Sequence, residues 1–193
     1  EQFGYTYEER PGIQSNALIF QEGEKKYTQR GLSGILHNHP FRFFQYCYVT
    51  GSKDRPKTHN YCISEITFNG TLPHIYLNNT KNRNISFLKG LLLPQLSLPA
   101  ELEGKFDLHS PTEYEIETLE IFTPDLLLHL LTMEWEHDLE LVDQKLFVFR
   151  EKPIQTKKEI ADEIEQLKKL LEILAPKLNH LKLTPIGDRS TIL

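Results

Sequence analysis

HSPTEYEIETLEIFTPDLLLHLLTMEWEHDLELVDQKLFVFREKP, residues 109–153, is the stretch that decides how this chain of 193 residues folds. Thr123-Pro124-Asp125 at its centre is a compact helix start. The threonine hydroxyl can accept from the first free amides, proline suits the first helical position, and aspartate favours the positive end of the dipole. Leu126 to Met133 is apolar on almost every side, broken by His129 and Thr132, which predicts a short helix covered all round. Before it, Tyr114, Ile116, Leu119 and Ile121 alternate with Glu115, Glu117 and Glu120. That pattern reads as a strand with a phase slip between Glu117 and Leu119. After it, Leu139 and Leu141, then Leu146 to Phe149, flank Val142-Asp143-Gln144-Lys145, an expected tight hairpin. Glu134, Glu136, Asp138 and Glu140 alternate with Trp135, His137, Leu139 and Leu141 and predict a solvated acidic strand face.

Upstream, FRFFQYCYVT (41–50) and NYCISEITF (60–68) are rich in aromatic and β-branched residues and form the most convincing strand pair. NALIFQ (16–21) reads as a short strand, 22–30 as a polar turn, and 32–36 as another strand. Asn69-Gly70 marks a turn before PHIYLN (73–78), so successive strands should pair antiparallel as a meander. Residues 79–99 read as loop, with Leu91 to Leu93 as an apolar plug. Downstream, Ile160, Ile164, Leu167, Leu171 and Leu174 step by four and three along an amphipathic helix that Pro176 should kink or restart. The fold class that follows is α+β: an antiparallel, barrel-like meander with one short buried helix and a long C-terminal amphipathic helix. The expected divisions are an N-terminal arm (1–15), the α+β domain (16–154), the terminal helix (155–183) and a tail (184–193).

The net charge of −5 argues against nucleic acid as a partner. The distribution is uneven. Between Lys105 and Lys145 there are eleven acids and no Lys or Arg, which leaves 22 basic residues against 16 acids elsewhere. Lys53, Arg55 and Lys57 in one loop, with Lys81 and Arg83 in another, are candidate contacts for an anionic membrane surface or a protein partner. The helix stripe Ile160, Ile164, Leu167, Leu171 and Leu174 would suit packing on its own domain or a homodimer through residues 157–183. His37-Asn38-His39 suggests a metal-dependent hydrolase using His37, His39 and nearby acids, although two histidines need a third ligand. Cys47 and Cys62 would face each other in a hairpin centred near Asp54 and Arg55. They read as buried thiols, with a disulfide as the alternative. No Walker loop, GxGxxG, GxSxG or paired CxxC is present, so no cofactor is implied. No run of eighteen apolar residues occurs.

Three segments taken together, GSKDRPKTHNYCISEI (51–66), FDLHSPTEYEIETLEIFTPDLLLHLL (106–131) and DLELVDQKLFVFREKP (138–153), resemble an uncharacterised bacterial family of membrane-anchored proteins. Its soluble domain carries a G-S-G-K…T-H-N hairpin, a strand-to-helix joint like Phe122-Thr123-Pro124-Asp125, and a final V-D…L-F-V-Y hairpin. The likeness covers about residues 16–154. This chain departs from it at Lys53-Asp54-Arg55-Pro56, where the family has a glycine-rich turn, and the two cysteines lie outside the pattern. The resemblance implies an anchor upstream of Glu1 and a membrane-associated soluble domain at the cytoplasmic face, but no activity. The leading expectation is therefore a non-catalytic binding or assembly domain, with the hydrolase and the homodimerisation module as alternatives.

Overall fold

The computed structural model describes residues 4–82 and 93–180, and the chain is an α+β protein. Its strands are β1 (Thr6–Glu8), β2 (Glu24–Leu36), β3 (His39–Ser52), β4 (Arg55–Asn79), β5 (Gln95–Leu96), β6 (Phe106–His109) and β7 (Asp138–Arg150). They form one antiparallel sheet ordered β1-β2-β3-β4-β6-β5, with β7 on the other side of β4. Among the described residues that order has free ends at β1 and β5, so the sheet is open rather than closed. The helices are α1 (Glu115–Ile121), α2 (Pro124–Thr132) and α3 (Lys157–His180). Arg83 and Leu91–Leu92 of the expected plug lie outside the described residues.

β4 is the spine. It pairs with β3 from Arg55 to Ile66, with β7 from Cys62 to Leu77, and with β6 from Tyr76 to Asn79. The turn expected at Asn69-Gly70 is a bulge inside this strand. Thr67 pairs with Lys145 and Leu72 with Asp143, so four residues on β4 oppose one on β7. Asp143 answers with a left-handed backbone, φ 58°. The expected hairpin at 142–145 is therefore a kink in one continuous strand. Both signals were turn chemistry, and pairing on either side of the bulge kept the strands going.

His37-Asn38 is a true hairpin turn, with φ 47° and 65° between the paired residues Leu36 and His39. Positive φ at both central residues matches the twist of the flanking strands. Residues 24–30, expected as a turn, belong to β2, and Leu18–Phe20 in the expected strand 16–21 is one turn of 3-10 helix.

The expected strand at 114–121 is α1. Thr118, Ile121 and Phe122 are buried, a spacing of three and four, and the glutamates of the first turn suit the helix dipole. Thr123 caps α2 as expected, accepting from the Leu126 amide with Pro124 in the first turn. α2 is not covered all round, however: Leu126, Leu127 and Leu130 face the core while Leu128 faces out.

The two sheet faces carry separate cores. One holds Phe41, Phe43, Cys62, Ile66, Leu139, Leu141 and Val148 beneath all three helices. The other is an aromatic layer of Phe44, Tyr46, Tyr48, Tyr61, Tyr76, Phe147 and Phe149, closed by Ala17, Ile19 and Phe20. α3 is continuous through Pro176. It lays Ile164, Leu167, Leu170, Leu171, Leu174 and Leu178 on the first core, with Ile160 partly buried at its edge. Each fully covered leucine contributes about 1.5–3 kcal/mol. The stripe offered for homodimerisation is thus occupied by its own chain.

Candidate functional site

The site residues expected from sequence are placed apart. Lys53, Arg55 and Lys57 are exposed at the tip of the β3–β4 hairpin. Lys81 is exposed beyond the other end of β4, a strand of 25 residues. They flank opposite ends of this strand, which bulges between Thr67 and Leu72. His37 sits exposed in its turn. His39 is buried on the Phe68 ring, centroids 4.3 Å apart, with Nδ1 3.3 Å from the Thr67 carbonyl. Among the described residues neither joins a group of ligands, so the hydrolase reading has no ligand set there. The hairpin turns at Lys53-Asp54, one residue earlier than expected, which pairs Cys47 with Asn60 and Cys62 with Gln45. Both cysteines are free and buried.

The polar residues that do converge come from three distant segments. Cys62 of β4, His137 just before β7 and Glu163 of α3 are all buried, with a potential ligand atom of each within 4.8 Å of the others. His137 Nε2 lies 2.6 Å from Glu163 Oε2. The other Glu163 oxygen takes the Arg150 guanidinium, which also reaches Glu136 at 2.5 Å. Register explains the gathering. Cys62 opposes Arg150 across β4 and β7, so both side chains point to the face where α3 lies.

Burial acts differently on these groups. It pushes the Cys62 thiol up to about 12, with the Glu163 charge adding and Arg150 opposing. Burial also raises Glu163, but the hydrogen bond and charge of His137, with Arg150, outweigh it and hold the carboxyl below its ordinary value. His137 Nδ1 and Arg150 Nε are buried with no hydrogen-bond partner among the described residues.

A second polar group underlies the aromatic face. The acids expected on a solvated strand face divide: Glu134 and Glu136 are exposed, Asp138 and Glu140 fully buried. Asp138 accepts from the Tyr76 hydroxyl, the Asn79 amide and the Asn82 side chain at 3.1, 2.8 and 3.0 Å. Glu140 accepts from the Leu18 amide at 2.8 Å and approaches His74 Nε2 at the same distance. Alternation with apolar residues was the correct strand signal, but it could not show that this sheet is covered on both faces.

On the surface, α1 and α2 present apolar side chains to solvent: Ile116 at 73%, Leu119 at 39% and Leu128 at 44% exposure. At about 100° per residue, Ile116 and Leu119 share the face of α1 opposite Thr118 and Ile121, with Glu115 and Glu120 on either side. Leu128 lies on the outer face of α2, beside exposed Asp125 and Thr132.

No family model matches the chain, and no curated relative matches it either. The chain is similar in fold to the crystal structure of the mycobacterial trehalose monomycolate transport factor A. The TM-score is 0.55 over 90% of each chain, at 13% sequence identity. No helix among the described residues is long and apolar enough to cross a membrane.

Proposed function

We propose that this is a non-catalytic binding or assembly domain of a membrane-anchored protein, and that its α1–α2 face docks a basic, apolar segment of a protein partner. The carrying observation is that face: Ile116, Leu119 and Leu128 exposed on two consecutive short helices, bordered by Glu115, Glu120 and Asp125. Exposed apolar side chains with a one-signed border favour a partner that covers the first and answers the second. No Lys or Arg occurs from residue 106 to residue 144. Lys177 approaches this border only through the Glu120 carbonyl and the Thr123 hydroxyl, each at 3.4 Å. The structural neighbour, named a transport factor, shares the fold and brings over no ligand. Anionic headgroups are the poorer occupant of an acidic face, and belong instead with Lys53, Arg55 and Lys57 at the far hairpin tip.

The test uses two probes, a short fluorescent Leu/Lys amphipathic peptide and phosphatidylglycerol vesicles. The expected result is peptide binding that weakens at least tenfold in Ile116→Gln/Leu119→Gln and again in Glu115→Lys/Glu120→Lys. Peptide binding indifferent to both pairs would overturn the reading. So would vesicle binding lost in Lys53→Glu/Arg55→Glu/Lys57→Glu without any peptide binding.

A further inference from the structure

We infer that Cys62, His137 and Glu163 form a binding site for a single divalent cation of zinc type, which clamps α3 to the β4–β7 pair. The donor set is one sulfur, one imidazole nitrogen and one carboxylate oxygen, the mixture that suits a borderline-soft ion and that magnesium or calcium would not select. The three donors come from positions 62, 137 and 163 and meet within 4.8 Å in a buried setting, so they are not a solvated cluster of surface acids.

The geometry needs little change. His137 Nε2 and Glu163 Oε2 are 2.6 Å apart. Two ligands each about 2.0–2.1 Å from a tetrahedral ion lie about 3.3 Å apart, so an opening of about 0.7 Å admits it between them. A tetrahedral ion also needs a fourth ligand, which a water molecule can supply.

Charge supports the same reading. The loaded site would hold a Cys62 thiolate, Glu163 and Glu136 against Arg150 and a divalent ion, which balances. Arg150 then has an outer role: it grips one oxygen of Glu163 and leaves the other for the ion. Partners of this kind orient a ligating carboxylate. Two protons are displaced as the ion binds: the thiol proton leaves to solvent as the metal–sulfur bond forms, and the proton between His137 Nε2 and Glu163 leaves Nε2 for solvent or for Nδ1, with no change of oxidation state.

The site is buried and uses residues distinct from those of the exposed docking face. Its failure would leave the docking proposal standing, because that rests on other residues.

The experiment treats the full chain with chelator, then titrates it with Zn2+ and with Co2+. Native mass spectrometry reads stoichiometry, and near-ultraviolet absorbance reads a cobalt–thiolate charge-transfer band. The expected result is one ion per chain with a thiolate band. Cys62→Ser abolishes the band and weakens Zn2+ binding at least a hundredfold, while Cys47→Ser, which alters the other buried thiol, changes neither. His137→Gln and Glu163→Gln each weaken binding at least tenfold. Circular dichroism of each variant confirms that it is folded, and Cys62→Ser, being nearly isosteric, keeps the test decisive if the others unfold. Absence of stoichiometric binding would overturn the inference. So would cobalt bound without a thiolate band, or binding that survives Cys62→Ser unchanged.

Discussion

Replacing Glu140 by alanine should detach the segment that closes the aromatic face. Its carboxylate accepts from the Leu18 amide at 2.8 Å through one oxygen and 3.0 Å through the other, across 122 residues of sequence. Alanine leaves that partly buried amide without an acceptor, which costs about 1–3 kcal/mol. Removing one buried methylene costs about 0.8 kcal/mol more. The contact with His74, whose side chain is partly exposed, adds less than about 1 kcal/mol. The expected loss is thus about 2–5 kcal/mol. Leu18 belongs to the turn that inserts Phe20 among Phe44, Tyr46 and Phe147, at centroid distances of 6.4, 5.1 and 5.5 Å. Loosening should therefore appear there first. Urea unfolding gives the global loss at constant m-value, and amide exchange at Leu18 gives the local one. A loss below about 1 kcal/mol, or Leu18 protection equal to wild type, would refute the view that Glu140 anchors this segment.

Gly23 has φ +65°, and a Cβ there would lie 2.3 Å from a Tyr48 ring carbon and 2.9 Å from the Val49 carbonyl. Gly23→Ala should cost about 2–4 kcal/mol by thermal or urea unfolding; a cost under about 0.5 kcal/mol would show that the turn yields easily. At the start of α3, Thr156 and Glu159 form a reciprocal cap in which Glu159 accepts from the Gln155 and Thr156 amides. Those bonds hold the Glu159 carboxyl below its ordinary value. A lowered folded value means the contribution is present above the ordinary glutamate range and fades as pH falls through the folded value. Thr156→Ala should cost about 1 kcal/mol and move the Glu159 titration, followed by carboxyl NMR, upward; an unchanged titration would sink the assignment.

Local chemistry was legible wherever a few neighbouring residues decide the outcome. Thr123-Pro124-Asp125 specifies a helix start, because capping needs only its own turn. The strand pair around Phe41 and Tyr61 and the buried stripe from Ile160 to Leu174 follow from hydrophobic period and β-propensity. Turn chemistry was less reliable. Asn69-Gly70 and Val142 to Lys145 offered two turns, but each lies in a strand whose pairing resumes beyond it, and ladder bonds on both sides outweigh a local preference. The segment 115–121 was ambiguous because seven residues hold too few repeats to separate a period of 2 from one of 3.6; burial of Thr118, Ile121 and Phe122 decided it.

Short stretches of the chain were enough to specify the α+β class, the antiparallel pairing of residues 41–50 with 60–68, the start of α2 and the apolar stripe of α3. Each depends on interactions within a turn or a hairpin. Long-range packing was needed to make Asp138 and Glu140 interior, to part His37 from His39, to turn the α3 stripe onto its own sheet, and to bring Cys62, His137, Arg150 and Glu163 together. Those outcomes depend on which sheet face is covered and on strand register between residues as much as 122 positions apart. No local period encodes that information.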